Sequence, residues 1–175
     1  MAHQEDRMAT TADLERMRAL ALAASSYLGT PRQSPFCADV IDSTSGRRLI
    51  RRLNAVAQEH DPSSHAEVRA IRAATKKLKT TSLKGYTLYT TCEPCPMCMA
   101  AALWAGVDRV IYGATIDDAA RHCSQIYTYA KQLVKRSDLQ CEVVGPVARA
   151  ECVALFEDPR MLAMTRLWRK PAAAR

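Results

Sequence analysis

The stretch "TCEPCPMCMA", residues 91–100, holds three cysteines within seven positions and interrupts them with two prolines. Cys95 and Cys98 are separated by two residues, and Pro96 suits the first turn of an α-helix. Residues three apart on a helix share a face, so both sulphurs can reach one ion. A helix N-terminus also favours the thiolate, which is the form that binds zinc. The spacing therefore indicates a metal site, with a disulphide or a redox pair as the other uses of such a motif.

A catalytic zinc site has three protein ligands and one open position, so the two cysteines need a partner. His65 opens a predicted helix and is followed two residues later by Glu67. Positions two apart on a helix do not share a face, so Glu67 is badly placed as a second ligand beside His65. We therefore predict one zinc ion per chain, bound by His65, Cys95 and Cys98. We also predict that Glu67 is a catalytic residue that acts on the molecule bound to the metal.

Length and composition predict one globular domain. The 175 residues are 48% hydrophobic and 25% charged, and no apolar run approaches the roughly 18 residues that span a bilayer, so no membrane partner is expected. The polar start is not a signal peptide, and we therefore expect a cytoplasmic protein whose seven cysteines are thiols or metal ligands. The expected boundaries are a tail at 1–10, a single zinc-dependent domain at 11–170 and a second tail at 171–175.

The hydrophobic pattern predicts helices that alternate with strands, which is typical of a three-layer α/β/α domain with a mixed sheet that begins in a hairpin. Asp39 is an exception, because it stands where a strand residue should be apolar. Cys37, Cys92, Cys141 and Cys152 are predicted core residues. The predicted helices are 14–28, 65–79, 97–106, 124–136, 147–157 and 160–170, and the predicted strands are 36–42, 47–54, 85–91, 107–114 and 141–145.

His-x-Glu followed by Pro-Cys-x-x-Cys is the signature of zinc-dependent base deaminases. Each half alone is a weak signal, because a lone Cys-x-x-Cys is more often a structural zinc half-site or a redox pair. The segments "DPSSHAEVRAIRAA" and "LYTTCEPCPMCMAAALWAGV" together resemble the bacterial guanine deaminases of the cytidine deaminase-like superfamily. This resemblance implies a five-stranded mixed sheet flanked by helices, and a homodimer.

The resemblance also implies a set of substrate contacts. Asn54 matches the asparagine that hydrogen-bonds the base, and Phe36 matches a phenylalanine near the pocket. Further expected contacts are Ala66, Glu93, His122 and Gln125. In the guanine enzymes an aspartate after the fourth strand contacts the 2-amino group of guanine, and gapless counting puts Ile126 at that position, with Asp117 or Asp118 as possible substitutes.

Three functions are compatible with these residues. The first is hydrolytic deamination of an amino-substituted nucleobase or related heterocycle with release of ammonia. If Ile126 replaces the aspartate that contacts the 2-amino group of guanine, the substrate differs from guanine. The second is deamination of adenosine in tRNA or of cytosine, and the net charge of +7 permits an RNA partner. The third is a zinc module without catalysis, which would need a fourth protein ligand.

Overall fold

The structure is a computed structural model that describes residues 8–161. The strands are β1 Cys37–Asp42, β2 Arg48–Leu53, β3 Tyr86–Cys92, β4 Arg109–Ala114 and β5 Glu142–Val144. The helices are α1 Thr11–Ser25, α2 Val56–Glu59, α3 Ala66–Leu78, α4 Pro96–Trp104, α5 Ile116–Ala120, α6 Ala130–Lys135 and α7 Arg149–Glu157. No helix within residues 8–161 has the length and apolar character that crossing a membrane requires.

The strands form one mixed sheet in the order β2-β1-β3-β4-β5, which confirms the five-stranded sheet. β1 is antiparallel to both β2 and β3, whereas β3, β4 and β5 are parallel to one another. Because β1 is antiparallel to both of its neighbours, β2 and β3 run in the same direction. The carboxyl ends of β2, β3, β4 and β5 therefore meet at one edge of the sheet.

Helices cover both faces of the sheet, so the three-layer architecture is confirmed. Alternate residues of the strands face opposite sides: Leu88 and Val110 pack in the core beneath α3, α4 and α6, whereas Tyr89 and Ile111 pack beneath α1 and α7. In the layer formed by α1 and α7, helix α7 lies very close to β4. A Cβ atom on Gly113 would lie 2.1 Å from the sulphur of Cys152, so only glycine allows this approach of α7.

The four cysteines that the sequence places in the core are buried, as predicted. Cys37, Cys92, Cys141 and Cys152 each expose 2% of their surface or less. They behave as small apolar side chains, and burial raises the pKa of each thiol above its ordinary value.

Asp39 interrupts the apolar pattern of β1 because it pairs with a cation on the neighbouring strand. Arg51 is its register partner on β2, and the guanidinium donates from Nε to Oδ1 at 2.7 Å and from Nη2 to Oδ2 at 2.5 Å. The Asp39 side chain is 6% exposed and that of Arg51 is 23% exposed. Such a bidentate pair satisfies a carboxylate that burial alone would disfavour.

The predicted helix at 124–136 starts too early, since α6 begins at Ala130. Residues 124–129 are irregular, and their run of isoleucine, tyrosine and threonine has low helix propensity. Two short helices, α2 and α5, were not predicted, and both are too brief for a periodic signal. The predicted helix at 160–170 and the boundary at residue 170 lie outside the described residues, apart from its first two positions.

The Asp39–Arg51 pair generates a stability prediction. Arg51→Met leaves the Asp39 carboxylate buried without a partner, and we expect it to lower the free energy of unfolding by about 3 kcal/mol. The double variant Asp39→Val with Arg51→Met removes both charges, and we expect it to recover most of that loss. Urea denaturation measures each value, and Arg48→Met at the exposed start of β2 is the control. Equal destabilisation by Arg51→Met and Arg48→Met would contradict the pairing argument.

Candidate active site

Two helices begin side by side at the carboxyl edge of the sheet and present the predicted metal ligands. His65 is the N-cap of α3 and Cys95 is the N-cap of α4, both with extended backbone and neither using its side chain to cap the helix. Pro96 occupies the first turn of α4, where its missing N–H costs no hydrogen bond. The His65 and Cys95 side chains are therefore available for another partner.

The three ligand atoms form a triangle that fits a zinc ion. His65 Nδ1 lies 3.7 Å from Cys95 Sγ and 3.5 Å from Cys98 Sγ, and the two sulphurs are 3.6 Å apart. Tetrahedral coordination with Zn–S of about 2.3 Å and Zn–N of about 2.0 Å separates two sulphurs by about 3.8 Å and a sulphur from a nitrogen by about 3.5 Å. The observed edges match these values, so the three residues could hold a zinc ion.

The chemistry of the ligands also suits a cation. The hydrogen bond from the Cys98 thiol lowers the pKa of Cys95 to about 4, and the contact with His65 acts in the same direction. The pKa of Cys98 is raised, because this thiol holds the proton that the two sulphurs share. The lowered pKa of Cys95 favours its thiolate, which is the form that zinc binds.

Glu67 lies beside the metal ligands but is not one of the group whose donor atoms all lie within 4.8 Å of one another. Its Oε2 is 3.6 Å from Cys98 Sγ, and its Oε1 accepts a hydrogen bond from Thr90 Oγ1 at 3.1 Å. The side chain is buried, and this desolvation raises the pKa of the carboxyl. A buried carboxyl that exchanges protons nearer neutral pH is suited to acid–base chemistry.

A cavity of about 390 Å³ opens in front of His65, Cys95 and Glu67. Of the predicted substrate contacts, Asn54, Phe36, Glu93 and Gln125 line this cavity. The structure does not bring Ala66 and His122 to it: Ala66 is fully buried in the core, and the His122 ring stacks on Phe156 at 5.8 Å. Sequence reasoning did not name Gln33, Gln58 and Ser124 as contacts, and these also line the cavity.

Glu93 organises one wall of the cavity through two backbone groups. Its Oε2 accepts from the N–H of Ile116 at 3.3 Å, and its Oε1 accepts from the N–H of Ala130 at 3.0 Å. These are the first residues of α5 and α6. The single buried carboxylate of Glu93 therefore holds both ends of the segment 116–130, which follows β4.

The two aspartates that could replace Ile126 as a reader of guanine are engaged elsewhere. Asp118 caps α5 through Thr115 and pairs with Arg149 at 2.7 Å. Asp117 accepts a hydrogen bond from the Tyr129 hydroxyl at 3.1 Å, and neither aspartate lines the cavity. Ile126 does line it, so this wall of the cavity carries an apolar side chain and the amide of Gln125.

We predict that Cys98→Ala loses the zinc ion, because two ligands hold it far more weakly than three. The matched control is Cys123→Ala, which removes another thiol from the same cavity without touching the ligand triangle. Elemental analysis of the purified proteins should give one zinc per chain for the wild type and the control. Equal zinc content in Cys98→Ala would contradict the assignment of the ligands.

Known proteins with related sequences or structures include several base deaminases. The guanine deaminase of Bacillus subtilis is 44% identical over 86 residues, which are 49% of this chain and 54% of that protein, so the alignment spans about half of its length. The guanine deaminase of Nitrosomonas europaea superposes with a TM-score of 0.75 at 23% identity, over 90% of this chain and 88% of that one. A tRNA:A34 deaminase gives a TM-score of 0.66 at 27% identity, over 81% and 99%.

The family comparison covers the part of the chain that builds the metal site. Residues 11–114 match the family described as the cytidine and deoxycytidylate deaminase zinc-binding region, and this range includes β1 to β4 and all three ligands. The match extends over more than half of the 175 residues. The chain is therefore a member of the cytidine and deoxycytidylate deaminase zinc-binding family.

Proposed function

We propose that this protein is a zinc-dependent aminohydrolase that releases ammonia from an amino-substituted nucleobase or a related heterocycle. The observation that carries the proposal is the buried Glu67 carboxyl, which faces a cavity beside a His/Cys/Cys group that has no fourth protein ligand within residues 8–161. A structural zinc site is closed by four ligands, whereas a catalytic one keeps a position open.

The residues of this chain supply the proton transfers and the orientation. Zinc, when bound by the three ligands, supplies a water of lowered pKa as the nucleophile. Glu67 would take one proton of the water and deliver it to the ring nitrogen, and would then pass the second proton of the same water to the leaving amine, so one carboxyl serves each step in turn. The hydrogen bond from Thr90 fixes one of its oxygens and leaves Oε2 towards the metal ligands.

Asn54 is proposed to orient the heterocycle, because one amide offers both a donor and an acceptor to a base edge. Its backbone N–H donates to the carbonyl of Phe36 at 3.1 Å, which holds it at the end of β2. Phe36 in turn packs edge-on against Phe156 at 5.2 Å.

Deamination of adenosine in tRNA and of cytosine stay the alternative hypotheses, and the net charge of +7 supports the first of these.

We also propose that the protein forms a homodimer through α4. Met97, Ala101 and Trp104 follow one face of this helix, and Met97 and Trp104 are 37% and 81% exposed. An exposed apolar stripe on an ordered helix is typical of a protein–protein contact. Sedimentation velocity would contradict this proposal by returning a monomer.

Cytoplasmic location stays a prediction, and seven free cysteines suit a reducing compartment.

We predict that Glu67→Gln keeps the fold and the zinc ion but lowers turnover by at least about 10²–10⁴-fold, because the amide preserves shape and cannot carry the proton. Ammonia release, zinc content and thermal unfolding are measured on the same preparations. Near-normal turnover in this variant would mean that another group transfers the proton.

A second prediction concerns the choice of base. Because Ile126 lines the wall and Asp117 and Asp118 are both engaged elsewhere, no aspartate of this wall can accept a hydrogen bond from the 2-amino group of guanine. We therefore expect guanine to be a poor substrate. Ile126→Asp should raise kcat/KM for guanine by about tenfold or more relative to other amino-heterocycles. Tyr127→Asp, which adds the same charge at a neighbouring exposed residue outside the cavity lining, is the control. A wild-type preference for guanine of about a hundredfold would show that this reading of the wall is wrong.

A further inference from the structure

Four amide side chains line the cavity in front of the metal ligands and Glu67. They belong to Gln33, Asn54, Gln58 and Gln125. A carboxamide has a donor end, the NH2 group, and an acceptor end, the carbonyl oxygen, and it offers a ligand only the end that the protein leaves free. The hydrogen bonds of these side chains therefore determine which groups of a substrate the cavity can pair.

Gln125 is held in one orientation by a neighbouring cysteine. Its Nε2 donates to Cys123 Sγ at 3.2 Å, and the Cys123 thiol donates its own proton to the carbonyl of Ala119 at 3.5 Å. Because that proton is already used, the sulphur can only accept, and the NH2 end of Gln125 must face it. Within residues 8–161 the Oε1 atom of Gln125 forms no hydrogen bond, so this oxygen is left to accept one from a ligand.

Gln33 is held in the opposite orientation. Its Oε1 accepts from the backbone N–H of Gly29 at 2.8 Å. A backbone N–H can only donate, so the oxygen of Gln33 must face Gly29 and its NH2 group remains for a ligand. Among the residues that the structure describes, Nε2 of Gln33 has no hydrogen-bond partner. Gln33 thus offers the cavity a donor, whereas Gln125 offers it an acceptor.

The other two amides are less constrained. The Asn54 side chain forms no hydrogen bond within residues 8–161, so it can turn either end towards a ligand. Gln58 is exposed, and its Nε2 donates to the carbonyl of Pro31 at the longer distance of 3.3 Å. Asn54 can therefore adapt to the base that binds, whereas Gln33 and Gln125 cannot reverse without losing a hydrogen bond.

We propose that Gln33 and Gln125 determine which heterocycle binds, and that Cys123 is the positioning residue for Gln125. Gln125 Oε1 accepts a hydrogen bond from a ring N–H of the substrate, and Gln33 Nε2 donates one to a ring nitrogen or a carbonyl oxygen. This inference rests on the proposed deaminase function, since it concerns the same cavity. The substrate class is then an amino-heterocycle with an unsubstituted ring N–H and a separate acceptor atom.

The two amides discriminate because a bound ligand keeps water away from them. A methyl group on the ring nitrogen would leave Gln125 Oε1 without a donor. A C–H group in place of a ring nitrogen would leave Gln33 Nε2 without an acceptor. A polar group that loses water without gaining a partner weakens binding, and a site built around such groups rejects analogues that lack the partner more strongly than an apolar site does.

Paired substrates test the role of Gln125. Ammonia release is measured for adenine, guanine and cytosine, and for derivatives methylated at a single ring nitrogen, with wild type, Gln125→Leu and Gln140→Leu. Leucine has no acceptor, and Gln140 is an exposed residue outside the cavity. In the wild type we expect kcat/KM of at least one methylated derivative to be about tenfold or more below that of its parent. In Gln125→Leu this ratio should shrink to about twofold, whereas Gln140→Leu should leave it unchanged.

Two further comparisons test Cys123 and Gln33 separately. Cys123→Ser keeps a hydroxyl that can accept from Gln125 and donate to Ala119, so it should retain the discrimination that Cys123→Ala weakens. For Gln33 the paired compounds are the purines and their deaza analogues, in which C–H replaces one ring nitrogen. The loss of kcat/KM for one of these analogues should be about tenfold in the wild type and should disappear in Gln33→Leu.

The role of Gln125 is rejected if no methylated derivative is a poorer substrate, or if the loss persists in Gln125→Leu, which would show exclusion by size alone. An equal change in Gln140→Leu would reject it too. Equal behaviour of Cys123→Ser and Cys123→Ala would remove Cys123 as a positioning residue, and a deaza effect that remains in Gln33→Leu would remove Gln33.

Failure of the deaminase proposal gives a different result, because then no compound releases ammonia with any of the proteins. Calorimetric binding of the same bases and methylated derivatives to the zinc-loaded protein still tests the two amides in that case. We expect the wild type to bind a parent base about tenfold more tightly than one of its methylated derivatives, and Gln125→Leu to bind both about equally. Equal affinity of the wild type for every parent and derivative would reject the inference.

Discussion

The active site depends on the parallel direction of β2 and β3, with β1 inserted antiparallel between them. Because both strands end at the same edge, the helices that follow them, α3 and α4, start close together. This arrangement brings a histidine at one helix start within 3.5 to 3.7 Å of two cysteines at another. The same edge collects the segment before β1 and the segment after β4, which complete the cavity. A crevice at the carboxyl ends of strands is a common place for ligands in α/β domains.

Burial of charge supports this edge in two different ways. Glu93 has neutral partners, since its carboxylate accepts two backbone N–H groups that begin α5 and α6. Asp39 has a charged partner in Arg51 on the neighbouring strand of the same hairpin. Glu93 connects residues that are 23 and 37 positions away, whereas Asp39 joins two strands at a distance of 12 positions. The buried carboxylates of this domain therefore hold together both the sheet and the segments that follow it.

The sequence was sufficient for those parts of the site that depend on local spacing. The grouping of His65, Cys95 and Cys98, with Glu67 beside them, could be predicted because helix geometry relates residues two and three apart. The pairing of Asp39 with Arg51 could not, since it depends on strand register. The late start of α6 depends on a hydrogen bond from Ala130 to Glu93, 37 residues away. Gln33 and Gln58 reach the cavity from irregular or very short segments, in which no periodic pattern marks the direction of a side chain.

The ion pair between Asp118 and Arg149 links the wall of the cavity to the opposite face of the sheet. Asp118 belongs to the capping box of α5, and its partner Arg149 is the first residue of α7. Helix α7 packs on α1, at the face of the sheet opposite to the metal ligands. The wall of the cavity is thus anchored to a helix that does not line the cavity. Substitutions in α7 are therefore expected to shift this wall, so the shape of the cavity depends on residues that hold its backbone in place as well as on residues that line it.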